Sequence, residues 1–522
     1  MDEKGKIARA AGSMSGATMV SRVLGYARDM LLAFYFGATG LSDTFFVSFR
    51  IPNLLRELFA EGSMSAAFVP VLTEYDSRDP EEAKRLTRVT FFFLLAATGT
   101  ICVLGIVFAS QIVTLIAPGF LDDPEKFSRT VLLTRVMFPF LVFISLAALV
   151  MGALNVKRVF FVPALAPAML NVTIIVTVVA LARLLPTPIL AVAVGVALGG
   201  LVQFAFQTPA FFRKGYSLAP AWQPGHPGLK KMLKLLLPVS LGMAVAQINI
   251  VVSNILASFL ASGSITYLYY SMRLIQFPVG VFGVAMGMAA LPSLSAHAVR
   301  KDFQALKEDF SFALRLLFFI SVPAMAGLIA LREPIVNLLF QRGAFDHQAT
   351  LGTAEALMFY SFGIWAFVGV RVVAVTFYSM QDTKTPVKAA VAALGANVLL
   401  SLALMGPLGH SGLALANALA SMLNFTVLMV LLRKRLGRVE GRRILSSFAK
   451  VALASAVMGA AAWLALRGDL WERSGESLVK ALWVFGGIFA SAGLYALMCR
   501  LLGCEELDFI ISRFIKRRES EH

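Results

Sequence analysis

Four arginines lie inside strongly apolar stretches of the sequence, where a cation is costly: Arg22, Arg28, Arg56 and Arg273. An arginine near the middle of a membrane span costs about 2.5–3.5 kcal/mol on insertion scales, so it calls for a water-filled cavity, an acid partner or an anionic ligand. Guanidinium groups bind phosphate oxygens in bidentate fashion. The four arginines therefore predict a cationic cavity for an anionic substrate, most simply one that carries a phosphate or diphosphate.

Other charged residues of the apolar stretches have simpler explanations. Arg50 and Glu57 lie seven residues apart, on one helix face, and are expected to pair with each other. Arg315, Lys450 and Arg500 lie near the ends of apolar stretches, where a long side chain can keep its charge at the membrane interface. We assign these residues to the structure of the protein and not to its substrate.

The composition is that of a membrane protein. Of the 522 residues, 58% are apolar and 15% are charged, and the mean hydropathy is +0.77, well above that of a soluble domain. The net charge of +17 lies mostly in short gaps between apolar runs and has no aromatic interleaving. We therefore expect no nucleic-acid partner, but a secondary attraction of these gaps to anionic membrane lipids.

Fourteen apolar stretches are long enough to be transmembrane helices. Spans 2 and 8 exceed the roughly 20 residues that cross a bilayer, and their prolines predict kinks. Basic residues concentrate at the N-terminus, after the even-numbered spans and at the C-terminus, so the positive-inside rule makes both termini cytoplasmic. The spans are 14–37, 42–72, 88–113, 129–155, 159–183, 188–211, 232–260, 264–296, 309–331, 350–379, 386–405, 411–432, 445–466 and 480–501.

An internal repeat relates span 2 to span 8. SDTF at 42–45 aligns with SITY at 264–267, and AFVPVL at 67–72 aligns with AALPSL at 289–294, both at a shift of 222. A parallel repeat of six spans is typical of alternating-access transporters. We predict an all-α polytopic membrane protein with two six-helix lobes plus two extra C-terminal helices. The predicted domains are 1–225 (spans 1–6), 226–440 (spans 7–12) and 441–522 (spans 13 and 14 and a basic cytoplasmic tail).

Motifs for enzyme chemistry are absent from the sequence. It has no GxxxxGK[ST] loop for a nucleotide, and its histidines are scattered without metal-ligand spacing. Cys102, Cys499 and Cys504 form neither a disulfide framework nor a zinc motif. Gly195 and Gly199 have the spacing of close helix packing in membranes. We expect no catalytic residue, no metal and no cofactor.

Several strings of residues resemble the MurJ (MviN) family of bacterial lipid II flippases. The most specific lie in spans 1 and 2: SRVLGYARD at 21–29, SDTFF at 42–46, PNLLR at 52–56 and FAEG at 59–62. Later strings keep the order and spacing of the family: APGF at 117–120, YY at 269–270, FP at 277–278, LPSL at 291–294 and QDTKTPVK at 381–388. The resemblance runs from about residue 7 to 433 and more loosely to the end.

The resemblance implies a transporter of the multidrug/oligosaccharidyl-lipid/polysaccharide exporter fold. Its substrate would be lipid II, the undecaprenyl-diphosphate-linked disaccharide-pentapeptide, moved to the outer leaflet of the bacterial cytoplasmic membrane for peptidoglycan synthesis. The family's cationic cavity then falls on Arg22, Arg28, Arg56 and Arg273 as the diphosphate-binding residues. Spans 13 and 14 would form a groove for the lipid tail.

Four acids of the first two spans complete this interpretation: Asp29, Asp43, Glu57 and Glu61. We expect them to form and break ion pairs while the two lobes rock around the substrate. The resemblance places Asp43 near the outer end of span 2. Membrane potential, worth about 2.3 kcal/mol per charge per 100 mV, is the energy source that the excess of arginines favours.

Sodium coupling is not favoured by the sequence. Some relatives bind sodium through carboxylates on spans 7 and 11, whereas this chain has no acid there, and hard cations usually bind carboxylates. The polar residues that those spans offer are Asn249, Asn254, Asn397 and Ser401.

Two other functions remain open on the sequence alone. The chain could carry another diphosphate-linked lipid oligosaccharide, or it could be a non-transporting membrane scaffold, with proteins of cell-wall synthesis as partners. A scaffold has no need of a cationic cavity, so alanine in place of Arg28 or Arg273 would leave a scaffold working.

Overall fold

The apolar stretches fold as helices throughout the part of the chain that the structure describes. The structure is a computed structural model that describes residues 3–57, 63–280, 284–475 and 477–519. Every regular element in these ranges is helical, which confirms the all-α class. The α-helices are α1 (Glu3–Phe36), α2 (Gly40–Arg56), α3 (Ser63–Arg78), α4 (Pro80–Val107), α5 (Ala109–Ile116), α6 (Pro124–Met137), α7 (Pro139–Val156), α8 (Phe161–Leu181), α9 (Leu190–Arg213), α10 (Pro227–Ser258), α11 (Ser264–Pro278), α12 (Val284–Val299), α13 (Phe303–Ala330), α14 (Arg332–Phe340), α15 (His347–Ser361), α16 (Ile364–Ser379), α17 (Lys384–Leu436), α18 (Gly441–Leu466), α19 (Ser477–Leu501) and α20 (Glu505–Glu519).

Nine helices of the described ranges are long and apolar enough to cross a membrane. Two of them join consecutive elements, α6 with α7 and α15 with α16. The others are α4, α8, α9, α13, α17, α18 and α19. The protein is therefore a multi-pass membrane protein.

Each of the two long predicted spans contains two of these helices. Span 2 holds α2 and α3, and span 8 holds α11 and α12. Pro52, Pro70 and Pro292 all lie inside helices, so helical structure continues past each of them. The residues between the two helices of each span include 58–62 and 281–283, which lie outside the described ranges, and the predicted kinks remain predictions.

Aspartate caps set the starts of several helices. The Asp79 carboxylate accepts hydrogen bonds from the backbone amides of Glu81 and Glu82, and Pro80 occupies the first turn of α4. Asp123 caps α6 in the same way. A capping carboxylate satisfies amides that have no partner within the helix, and proline at this position loses no hydrogen bond.

These caps recur at a shift of 223. Adding 223 to the bounds of α4 gives the bounds of α13, and the caps of α13 and α15, Asp302 and Asp346, follow Asp79 and Asp123 by the same interval. The bounds of α1–α3 and of α5–α7 recur in α10–α12 and α14–α16, close to this shift throughout. The start of α8 and the end of α9 recur at the two ends of α17.

One helix-to-helix hydrogen bond is also repeated. The Ser48 hydroxyl on α2 donates to the carbonyl of Thr130 on α6, at 2.8 Å. The Ser271 hydroxyl on α11 donates to the carbonyl of Thr353 on α15, also at 2.8 Å. Both serines also bond the carbonyl four residues earlier in their own helices. The structural register of these helices is thus 223, one more than the shift of 222 that the sequence strings indicate.

The chain divides into two compact units, Met1–Ser262 and Gly263–His522. In the first unit α8 and α9 pack together, α2 packs on α6, and α10 packs on α3 and α5. In the second unit α11 packs on α15, and α13 packs on α16 and α18. The boundary thus follows α10. The predicted lobe boundary after residue 225 concerns transport lobes and remains a prediction.

Glycines on α9 allow its close approach to α8. A Cβ on Gly199 would lie 3.2 Å from the carbonyl oxygen of Leu170 and 3.3 Å from its Cα, and a Cβ on Gly195 would lie 3.0 Å from the Cα of Ile174. Side-chain carbon has little room so near another backbone. The spacing of Gly195 and Gly199 therefore serves helix packing, as predicted.

α17 is interrupted at Gly409. This residue has φ 56° and ψ −133°, a non-helical backbone conformation inside 53 residues of otherwise continuous helix. The next residue fixes the kink, because the His410 Nε2 lies 2.9 Å from the carbonyl oxygen of Gly352 on α15. The His410 ring also packs against the ring of Tyr267 on α11.

Candidate functional site

Arg28 and Asp29 form an ion pair on α1. The Asp29 side chain is 0% exposed, and its Oδ1 accepts hydrogen bonds from Arg28 Nε at 3.0 Å and Nη2 at 2.6 Å. Consecutive residues of a helix point about 100° apart, so the long arginine side chain must fold back to reach its neighbour. The carboxylate keeps the guanidinium charged while Arg28 itself remains partly exposed.

Arg22 lies earlier on α1 and is exposed. Its neighbour Ser21 accepts a hydrogen bond, at its carbonyl oxygen, from Asn171 Nδ2 on α8 at 3.2 Å. α8 is the main packing partner of α1. Arg22 therefore follows directly after the point at which the two helices are joined.

Arg56 belongs to a polar cluster at the end of α2, the Glu57 cluster, made of Asn53, Arg56, Glu57 and Gln247. Arg56 Nε donates to Asn53 Oδ1 at 3.0 Å, and Asn53 Nδ2 donates to Glu57 Oε1 at 3.0 Å. Arg56 Nη2 lies 3.8 Å from the same carboxylate oxygen. Gln247 of α10 donates its amide to the other oxygen, Oε2. The carboxylate is thus held from two helices.

The predicted pair between Arg50 and Glu57 is wrong. The partners of Glu57 are Asn53, Arg56 and Gln247. Seven residues along a helix place two side chains about 10 Å apart along the axis, whereas the i−4 and i−1 neighbours are nearer. Nearer and better-oriented groups therefore occupy the carboxylate.

Asp43 pairs with Lys126, a residue that the sequence alone does not single out. The Asp43 side chain is 1% exposed, and its Oδ2 lies 3.5 Å from the Nζ of Lys126 at the start of α6. Lys126 is itself 9% exposed and lies over the ring of Phe120, 4.2 Å from the centroid. Its Nζ also lies 3.3 Å from Ser262 Oγ. The predicted ion-pairing role of Asp43 thus has a partner.

The remaining site residues are placed separately. Arg273 lies on α11 in the second unit, partly exposed, between the buried Ser271 and Leu274. Arg22, Arg28 and Arg56 lie in the first unit. Glu61 falls outside the described residues, so its predicted role remains a prediction.

Arg315 does not reach the interface, contrary to the prediction. It is 4% exposed, and its Nη1 donates to Glu506 Oε1 at 2.7 Å and to Glu505 Oε2 at 2.9 Å. Both acids belong to α20, which brings a matching charge to the helix end and removes the reason for the arginine to extend into water. Arg443 on α18 also donates to Glu505. The arginines, Arg443 foremost, hold the pKa of the Glu505 carboxyl below its usual value.

Cation and redox chemistry have few groups to draw on. Within the described residues, no cluster of three or more histidine, cysteine, aspartate or glutamate side chains could hold a metal ion. Asn254, Asn397 and Ser401, the polar residues considered for sodium, are buried. Cys102, Cys499 and Cys504 are buried free thiols. What the described residues offer is an arrangement of guanidinium groups beside carboxylates, suited to binding an anion without covalent chemistry.

Comparison with known proteins identifies the relatives of this chain. The model of the family described as "Lipid II flippase MurJ" matches residues 32–472. A probable lipid II flippase MurJ of Haemophilus influenzae is 35% identical over 501 residues, which are 93% of this chain and 98% of that protein. Among solved structures, "Lipid II flippase MurJ, inward closed conformation" is similar with a TM-score of 0.77, 28% identity and coverage of 94% of this chain and 99% of that one.

A more distant structure shares the fold alone. An inward-facing multidrug resistance MATE family transporter of the MOP superfamily has a TM-score of 0.65 at 15% identity, with 83% of this chain and 99% of that chain covered. The helical arrangement is therefore that of this transporter superfamily.

Proposed function

The chain belongs to the lipid II flippase MurJ family, and on that premise we propose that it moves lipid II from the inner to the outer leaflet of the bacterial cytoplasmic membrane. The substrate is a diphosphate that joins an undecaprenyl tail to a disaccharide-pentapeptide. Moving it requires that a polar, anionic group crosses the hydrocarbon core, where an unsolvated charge is expensive. The protein must therefore supply charge and polarity along the path, and it needs no bond-making chemistry to do so.

The observation that carries this proposal is the Arg28–Asp29 pair. Inside the first helix, Arg28 is kept charged by a fully buried carboxylate while its own side chain stays partly exposed. A pair that served structure alone would bury both members; here the cation faces outward from its acid. Phosphate oxygens are the natural ligand of such a guanidinium.

Arg22, Arg56 and Arg273 complete the proposed diphosphate site. Arg56 is held by Asn53 and stands 3.8 Å from Glu57, so it too is charged and oriented. Asp29, Asp43, Glu57 and Glu61 are the acids that exchange partners between arginine, lysine and substrate. When the diphosphate arrives, it competes with these carboxylates for the arginines, which couples binding to movement of the helices.

The proposed architecture has fourteen membrane spans in two six-helix lobes with two extra C-terminal helices. Repetition of the helix bounds at the shift of 223 supports two copies of six spans. The nine apolar helices of the described ranges, the division of α17 at Gly409, and the helices α1, α10, α2–α3 and α11–α12 together make up fourteen. In this topology both termini are cytoplasmic, residues 1–225 and 226–440 form the lobes, and 441–522 holds the lipid-tail groove.

The transport cycle in this proposal is alternating access driven by the membrane potential. Rocking of the lobes exposes the arginines first to the cytoplasm and then to the periplasm. A moving cationic lobe responds to the potential by about 2.3 kcal/mol per charge per 100 mV. Transport in vesicles with potential and sodium varied separately tests this energy source, and dependence on sodium at constant potential would refute it.

The test of function is complementation of a bacterium depleted of its own MurJ. Wild-type chain, Arg28→Ala and Arg273→Ala are expressed at matched levels, and lipid II exposed on the outer leaflet is scored. Arg500→Ala is the matched control, because Arg500 is an exposed arginine in the last turn of α19. We expect rescue by wild type and the control only. Rescue by the two site variants would refute the arginine roles, and failure of wild type would refute lipid II as substrate.

A further inference from the structure

Lys126 joins three parts of the first unit. It starts from the first turn of α6, packs over Phe120 of the 3-10 helix Pro118–Asp122, and places its Nζ between Asp43 of α2 and Ser262, which follows α10. Ammonium groups are strongly hydrated and are rarely buried unless paired. A buried lysine with contacts to three other segments therefore has a function that needs the charge at that place.

The second copy of the repeat shows that this charge is not needed for packing. Positions 43 and 126 correspond at the shift of 223 to Thr266 and Ala349, which are buried on α11 and α15. Those helices pack together through the Ser271–Thr353 bond, just as α2 and α6 pack through Ser48 and Thr130. The same helix pair thus forms without an ion pair at these positions, so the Asp43–Lys126 pair is an addition specific to the first copy.

The partner of this addition is the end of α10, which approaches its neighbours very closely. Gly119 donates its backbone amide to Ser258 Oγ at 3.1 Å, and a Cβ on Gly119 would overlap the carbonyl oxygen of Ser258. A Cβ on Gly40 would lie 3.1 Å from Ser262 Oγ and 3.8 Å from Lys126 Cε. Side-chain carbon has no room at Gly119 and little at Gly40, so the end of α10 is seated tightly on α2 and the 3-10 helix.

We infer that Lys126 is a gating residue: with Asp43, Ser258 and Ser262 it forms a latch that holds the end of α10 on α2, and transport requires this latch to open. This inference rests on the proposed function. Asp43 and Lys126 belong to the first copy of the repeat, whereas Ser258 ends the first helix of the second copy and Ser262 follows it. The bonds between the copies join a charged or backbone donor to a serine hydroxyl, which can be released and replaced by water. The Asp43–Lys126 pair can stay together while the serines leave.

The location of the latch fits an outer gate. Its residues lie in or beside the gaps after spans 1, 3 and 7, which carry few basic residues and face the periplasm in the proposed topology. A closed latch therefore blocks exit of the diphosphate to the outer side. Opening it would free the space between the end of α10 and α2 for the sugar-peptide headgroup.

A designed disulfide between α2 and the end of α10 tests the latch. A Cβ on Gly40 would lie 3.5 Å from the Cβ of Ser262, within the range that a disulfide spans. Gly40→Cys/Ser262→Cys is made in a chain whose own three cysteines are replaced by alanine, and lipid II exposure is measured after oxidation and again after reduction. Each single cysteine variant is the control under oxidant. We expect loss of exposure in the oxidised double variant alone and recovery on reduction.

The outcomes separate the latch from the function. Complete crosslinking with unchanged lipid II exposure would overturn the latch, as would failure of the disulfide to form. No exposure even in the reduced protein and in the single variants would instead count against lipid II flipping. A second variant, Asp43→Thr/Lys126→Ala, copies the pair found in the second repeat and so keeps the packing. In it Ser262→Cys should react faster with a membrane-impermeant maleimide, and unchanged reactivity would overturn the inference.

Discussion

Arg315 on α13 and Glu506 on α20 form a buried ion pair at 2.7 Å, with Glu506 2% exposed. Ser447 of α18 donates its hydroxyl to the same carboxylate oxygen at 3.0 Å. The neighbouring Glu505, whose side chain is 62% exposed, shares Arg315 with Arg443. One carboxylate thus ties three helices of the second unit together, and the other supports it from the surface.

Glu506→Gln should lower the stability of the second unit much more than Glu505→Gln. Removing one partner of a buried pair costs about 3–5 kcal/mol, whereas an exposed pair contributes about 0–1 kcal/mol. Thermal unfolding of both variants in detergent measures the difference. Equal shifts of Tm would show that burial of the pair has no energetic consequence.

Gln247→Ala should reduce transport while leaving the amount of folded protein unchanged. Gln247 bonds Glu57 across two helices, and loss of a hydrogen bond to a charged group costs about 1.5–3 kcal/mol, or about tenfold or more in a rate that depends on it. The matched control is Gln304→Ala, since Gln304 bonds Glu308 at 2.8 Å on an exposed face. Lipid II exposure should fall in the first variant only, and an equal effect of both would contradict a role of the Glu57 cluster.

Gly199→Ala and Gly99→Ala should act in opposite directions. The added methyl of the first would press on the Leu170 backbone and force α8 and α9 apart, at a cost of about 1–3 kcal/mol. A methyl added at Gly99 in α4 would have nothing within 4 Å, so alanine there should stabilise by about 0.5–1 kcal/mol through helix propensity. Tm values of the two purified variants decide this, and a destabilised Gly99→Ala would contradict it.

Asp382 should make stability depend on acid. Its pKa lies below the usual value because the Thr385 backbone amide donates to the carboxylate, with further lowering by the Thr385 hydroxyl and Arg435. A depressed pKa means that the charged form is stabilised by folding. The stabilisation is complete above the ordinary pKa of 3.8 and is lost as the pH falls through the lower folded value.

Asp382→Asn should remove that dependence. Tm measured between about pH 5 and pH 2 should fall less steeply with acid in the variant than in wild type. The variant should also be less stable than wild type above the window, because a neutral amide accepts from the first turn of α17 more weakly than a carboxylate. Parallel curves for the two proteins would contradict the contribution of Asp382.

Much of the fold could be predicted because hydropathy dominates it. A long apolar stretch has few alternatives to a membrane helix, since backbone polar groups must be satisfied within the segment. The register of the repeat is harder, because short similar strings at 42–45 and 264–267 indicate 222. The caps Asp79 and Asp302, each at a helix start, carry the value of 223 and could have been found from the sequence.

The site could be predicted only in part. Arg28, Asp29 and Arg56 stand out because charge inside apolar stretches is rare, but their partners depend on folding. Lys126 lies 83 residues from Asp43, and Gln247 lies 190 residues from Glu57. Neither has a local signal beyond being polar near a span, and such contacts follow from helix packing that sequence spacing does not encode.

In the proposed topology, the backbone torsion at Gly409 decides on which side of the bilayer the rest of the chain is placed. Fifty-three residues of unbroken helix would extend about 80 Å, against a hydrocarbon core of about 30 Å. Because the chain turns there, α17 would cross twice and not once, and every later segment keeps the parity that an even number of crossings requires. Without this turn, the basic tail after α19 would emerge on the opposite face of the membrane. One residue without a side chain thus sets the sidedness of the last hundred.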